Sequence, residues 1–188
     1  MANVNHNTLT DPYIHEPKGA STAASGAIYI ADGAGSGTWK QLHNYVNGYL
    51  AFDATTPAYS HSVTTSFTVL NPTFTLGVVD DWSGLSSPNA RLRYNGTVTT
   101  TALASFSISF KNNSGTNRDL EMAIYKNGTL LSGAQGISTA TTGEWKLLTV
   151  TGMSTFVAND YFEVFVKGSA SFTLLVASAS LTVVGAPT

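Results

Sequence analysis

Four aspartates mark the places where this chain could do chemistry. Asp80 and Asp81 stand together just before Trp82 in a Gly/Ser/Pro-rich stretch, and Asp53 and Asp160 lie at the ends of apolar runs. Two carboxylates about 5 to 9.5 Å apart would make a glycosidase pair, and six to eight oxygens would make a calcium site. The spacing matches neither an EF-hand nor a calcium-binding nonapeptide repeat, so solvated loop carboxylates are the expected role. The histidines His6, His15, His43 and His61 lack metal-ligand spacing, and no cysteine is present to complete a site. Gly33-Ala34-Gly35-Ser36-Gly37 has the glycines of a phosphate-binding loop but neither its Gly-Lys-Ser/Thr ending nor the G-x-G-x-x-G spacing. No G-x-S-x-G elbow occurs. The expectation is a protein that is not an enzyme and that uses no cofactor and no metal.

Composition bounds the partners. Nine basic and eleven acidic residues give a net charge of −2, and only 11% of the 188 residues are charged, less than half of the usual quarter. Ser and Thr together make up roughly a quarter of the chain. Arg91 and Arg93, which would share one face of a strand, are the nearest approach to a basic cluster. That is too little to release the counterions that drive nucleic-acid binding, so a solvated strand face is expected there. No run of eighteen apolar residues would cross a membrane, and MANVNHNTLT has neither the basic start nor the apolar run of a secretory signal. Synthesis in the cytoplasm is expected, where the sequons at Asn95, Asn112 and Asn127 would stay unmodified. A surface so poor in charge is either a hydroxyl-rich β surface that stays soluble without charge or one largely covered by other subunits; the second is favoured, because closing strands into an oligomer also protects their edges.

The elements that must position these residues are strands. Leu120, Met122 and Ile124 alternate with Glu121, Ala123 and Tyr125, and Asn127-Gly128 can form a two-residue type I′ turn that folds Thr129-Leu130-Leu131 back. Comparable short runs are Leu42–Phe52, Ser62–Leu70, Thr73–Val79, Ala90–Tyr94, Thr97–Thr101 and Ala104–Lys111, followed by a loop at Asn112–Asn117. Trp145–Thr151, Tyr161–Lys167 and Phe172–Val184 complete the set. In Tyr161–Lys167 the core side is expected to be Phe162, Val164 and Val166, with Glu163 and Lys167 outside. About eight to ten strands without a long helix predict an all-β domain, a β-sandwich or jelly roll, over residues 42–188. Residues 1–41 show no sustained periodicity and are broken by Asp11-Pro12, Glu16-Pro17 and the glycines. Only Ala27–Ala31 could pair as a strand. This extended N-terminal arm is expected to order by lying on another surface, because Tyr13, Ile14, Ile28, Ile30 and Trp39 are too apolar for a free linker.

Two stretches carry a family resemblance. Asp11–Trp39, DPYIHEPKGASTAASGAIYIADGAGSGTW, resembles a peptide that recurs in virion proteins of tailed bacteriophages, with matches at His15, Glu16, Pro17, Lys18, Gly19, Ala31, Asp32, Gly33 and Trp39. Asn89–Val184 is similar to the C1q/TNF-like jelly roll as found in phage proteins. The residues concerned are Arg91-Leu92-Arg93-Tyr94-Asn95-Gly96, Tyr125-Lys126-Asn127-Gly128 and Val157–Val164, where Asn159 replaces the usual glycine, a change that a residue tolerant of left-handed backbone can absorb.

The resemblance implies a homotrimer on the outer surface of a virion, made in the bacterial host. It points to a capsid decoration, or cement, protein that binds and stabilises the lattice of the major capsid protein. The implied capsid-binding arm uses Tyr13, Ile14, Ile28, Ile30 and Trp39, with His15, Glu16 and Lys18 fixing register. The alternative is a head or tail fibre protein whose jelly roll binds a host-surface glycan through loops such as Asp80–Asn89 or Asn112–Asn117.

Overall fold

Alternation of apolar and hydroxyl residues builds the structure. In the computed structural model, which describes residues 23, 27–31, 37–41, 46–53, 58–77, 81–85 and 91–187, no helix occurs among the described residues. The chain divides into two units, Met1–Asn44 and Tyr45–Thr188.

In the first unit β1 (Ala27–Ala31) pairs antiparallel with β2 (Gly37–Gln41). Tyr29 lies opposite Trp39, their rings edge to face at 5.4 Å, while Ile28 and Ile30 are exposed on the alternate positions. The pairing of AIYIA is as the sequence suggests. Its partner strand was hidden because GTWKQ begins at the last of three alternating glycines.

The second unit is a sandwich of two antiparallel sheets. The first has the order β11 (Thr129–Ala140), β10 (Arg118–Lys126), β13 (Tyr161–Gly168), β8 (Arg91–Tyr94), β7 (Trp82–Leu85), with β5 (Thr68–Val69) also on β13. The second has the order β12 (Lys146–Phe156), β9 (Thr100–Asn112), β14 (Phe172–Pro187), β3 (Val46–Asp53), β6 (Thr75–Leu76), with β4 (Tyr59–Val63) also on β14. Consecutive strands β4 and β5 join different sheets, as do β11 and β12, which makes the sandwich a jelly roll.

Every second residue of β9 points inward, including Ala102, Ala104, Phe106, Ile108 and Phe110. On β14 a register shift between Val176 and Ser178 changes the parity, so that Leu174 and Val176 are followed inward by Ala179, Leu181 and Val183. The opposing layer supplies Leu120, Met122, Ile124, Phe162, Val164, Val166 and Leu92. At one end Trp82 packs against Tyr94, Phe156 and Phe162 with ring centroids 5.1 to 6.0 Å apart. The Tyr94 hydroxyl meets the Val98 carbonyl at 2.6 Å and Thr100 Oγ1 at 2.8 Å.

Several expectations change. Trp82 is not in a loop: WSGL is too short and small to look like a strand, yet it pairs with β8 and buries its indole. Ser62–Leu70 is two strands, since Thr64 Oγ1 donates to the Ser66 carbonyl at 2.8 Å in a turn where the chain crosses between sheets. Thr97–Thr101 is no separate strand; Thr100 and Thr101 open β9. Asn112 is buried, and its amide spans the following loop with bonds to the Thr116 and Ala140 carbonyls. The hairpin turn stands where NG placed it, with Asn127 at φ 50° and Gly128 at φ 74°. Its ladder lasts only two pairs before Leu131–Ala134 bulge out, with Gly133 at φ 77°.

Candidate interaction surface

The outward residues of the second sheet form rows across the strands. One row is Leu147, Ser109, Ser178 and Asp53; the next is Thr149, Ser107, Ser180 and Ala51. Beyond them come Thr151, Ser105 and Thr182, then Met153, Leu103 and Val184. Hydroxyls satisfy one another across strands, as where Ser107 Oγ and Thr149 Oγ1 lie 2.7 Å apart. Short side chains leave the face flat. Larger apolar groups stand at its ends, Leu147 at 71% exposure and Met153 at 68%, with Leu103 and Val184 about half exposed. A shallow depression of about 350 Å³ runs between Leu147 and Asp53 over the serines. Among the described residues of these rows Asp53, on β3, is the one charge.

The first sheet shows water a different face. Arg91 Nε holds Glu163 Oε1 at 2.7 Å and its guanidinium lies 4.3 Å from the centre of the Tyr161 ring. Glu163 stands on the outer side of β13 as expected, yet it is only 2% exposed, because Arg91 lies over it. Arg91 is likewise no merely solvated strand residue. Lys167 pairs with Glu121 at 3.0 Å and lies over the Phe67 ring. The first sheet carries three of the ion pairs, whereas on the second the charges, Asp53, Lys111 and the Lys146–Glu144 pair, stand at one end and leave the middle rows without any. Charge depletion at the centre of a patch is the compositional mark of protein interfaces.

The aspartates do not converge on a reaction centre. Asp53 ends β3, Asp81 precedes β7 at φ 59°, and Asp160 lies in the loop before β13; Asp80 is outside the described residues. No group of three or more His, Cys, Asp or Glu is placed to hold a metal among the described residues. Asp160 instead ties the loop together. Its Oδ2 accepts from Lys126 Nζ at 2.8 Å and the Val157 amide at 3.0 Å, and its Oδ1 accepts from Asn127 Nδ2 at 2.6 Å. Partial burial pushes its pKa up, and the bonds from Lys126, Val157 and Asn127 outweigh that and hold it below the usual carboxylate range. Asn159 beside it takes φ 76°, the left-handed backbone expected where glycine is usual. His61 lies between Tyr59 and Thr68, its Nε2 3.1 Å from Thr68 Oγ1, and burial lowers its pKa.

Of the arm residues singled out in the sequence, Tyr13, Ile14, His15, Glu16 and Lys18 lie outside the described residues, as do His6 and His43. Ile28 and Ile30 stand on one face of the β1–β2 pair and Trp39 on the other, with Tyr29. The composition suggests a hydroxyl-rich surface without saying which strands carry it. Its signal is there in hindsight: Ser105, Ser107 and Ser109 alternate with Phe106 and Ile108, and Leu147 and Met153 bracket Thr149 and Thr151.

The fold is a TNF-like jelly roll, with ion pairs across the outer side of one sheet and hydroxyl rows across the outer side of the other. Among solved structures, the chain is similar to Eiger TNF from S. frugiperda, at 8% identity over 77% of this chain and 94% of that one with a TM-score of 0.50. Murine APRIL gives 10% identity, 76% and 100% coverage and a TM-score of 0.43. A CBM35 domain from Cellvibrio japonicus Abf62 gives 15%, 71% and 91%, and 0.31. No protein-family model matches the chain, and no curated protein matches its sequence.

Proposed function

We propose that this chain is a non-enzymatic structural protein of a tailed-phage virion, a capsid decoration protein that assembles as a homotrimer and binds the lattice of the major capsid protein. The observation that carries the assembly is the hydroxyl-lined stretch of β12, β9 and β14, without charge in its middle rows and with Leu147, Met153, Leu103 and Val184 exposed at its ends. Flat, apolar-rimmed and internally hydrogen-bonded, it suits packing against a copy of itself more than contact with bulk water. The N-terminal unit then serves as the tether. Its resemblance to a phage virion peptide supports this role, as does the β1–β2 hairpin, which leaves Ile28 and Ile30 exposed for a partner. Each tether contact need only be weak, because three joined to one body bind with high effective concentration.

The test is deletion of residues 1–44. The remaining jelly roll is expected to keep the subunit number of the full chain and to lose binding to purified capsids. Undiminished saturation of capsids by the truncated protein would remove the tether from the proposal, and a monomeric full chain at micromolar concentration would remove the assembly.

A further inference from the structure

Asn-Gly is the dipeptide most prone to lose its side-chain amide, because glycine leaves the attacking backbone nitrogen unshielded. The Gly128 nitrogen gives up its proton and bonds to Asn127 Cγ, and ammonia leaves. Water then opens the resulting succinimide to aspartate or isoaspartate. Asn127–Gly128 sits at the exposed tip of the β10–β11 hairpin, where water is plentiful.

The carboxamide of Asn127 is nevertheless held at both ends. Its Nδ2 donates to Asp160 Oδ1 at 2.6 Å, and its Oδ1 accepts from the Tyr161 amide at 2.9 Å. The backbone is fixed beside it, since the Asn127 amide donates to the Tyr161 carbonyl at 3.1 Å. Swinging Cγ onto the Gly128 nitrogen must break both side-chain bonds, one of them to a carboxylate. We infer that Asn127–Gly128 is a latent deamidation site which Asp160 keeps closed by gripping the Asn127 amide. The product would face its own guard: an aspartate at position 127 cannot donate to Asp160, and two carboxylates would meet where a hydrogen bond stood. The same Asp160 joins Lys126, Val157 and, through its carbonyl, the Tyr94 amide, so conversion of one amide loosens three loops.

The experiment incubates the full chain in mildly alkaline buffer and follows amide loss at Asn127 by peptide mapping and mass spectrometry. Asp160→Ala is expected to convert about tenfold faster than the parent, the factor that a lost charge-assisted bond gives. Equal rates would overturn the inference and leave protection to the turn alone. Lys126→Met removes the ion pair but leaves the Asn127–Asp160 bond, so it is expected to keep the parent rate. A rate matching Asp160→Ala would overturn the inference by assigning protection to general loop rigidity. Asp160→Ser, too short to reach the amide, repeats the test if Asp160→Ala fails to fold.

Discussion

A lysine at position 151 would separate folding from assembly. Thr151 is exposed on β12, opposite Ser105 in the third row of the hydroxyl face, and no side-chain hydrogen bond among the described residues depends on it. The sandwich should therefore unfold as before, within about 0.5 kcal/mol. In an assembly the added charge would be desolvated without a partner, at several kcal/mol for a fully buried site, and symmetry would bring one from each copy. Taking about 3 kcal/mol per subunit, the dissociation constant should rise by at least about a hundredfold. Sedimentation velocity over a dilution series would read this directly, with Thr151→Val expected to stay assembled. Gln135→Lys, exposed on β11 of the other sheet, should also leave association alone. Should Thr151→Lys sediment like the parent at every dilution, this face is not where copies meet.

Other substitutions test the fold. Gly96→Ala should cost about 3 kcal/mol in chemical denaturation, because a Cβ there overlaps the buried Tyr94 ring. Arg91→Ala should cost about 2 kcal/mol by leaving Glu163 buried without its cation, less than for a fully buried pair because Arg91 is 30% exposed; adding Glu163→Leu should recover much of it. The Asp160 lock should be acid-labile. With a folded pKa below the unfolded value of about 3.9, its stabilisation is complete above the unfolded pKa and disappears as pH falls through the folded one. Thermal unfolding followed through that acid range should show the loss in the parent and a shallower slope in Asp160→Ala.

How far the sequence announced this structure differs from element to element. Strands whose pattern obeys the period of two, such as β9 with Phe106, Ile108 and Phe110, were legible because burial alone determines them. The Asn127-Gly128 turn and the left-handed Asn159 were legible from local backbone chemistry. The outer placement of Glu163 is legible from the period of two, but its burial is not, because the partner that covers it, Arg91, lies 72 residues earlier. The strand at Trp82 leaves no sequence signal, because it exists only by pairing with β8. The hydroxyl-lined face is hard to read from sequence for a related reason: it is assembled from serines and threonines on three strands, and no single window contains it. The overall scarcity of charge hinted at a covered surface without saying where.

The place of β14 in the sheet has a consequence for how the protein is made. This strand of sixteen residues lies between β9 and β3 and also holds β4, so three strands emerge from the ribosome well before the neighbour that completes them. Closure therefore waits until translation reaches β14, and until then the nascent chain exposes half-paired edges. Shortening β14 from its far end would leave a polypeptide vulnerable to proteases and prone to clump, even though every residue upstream was untouched.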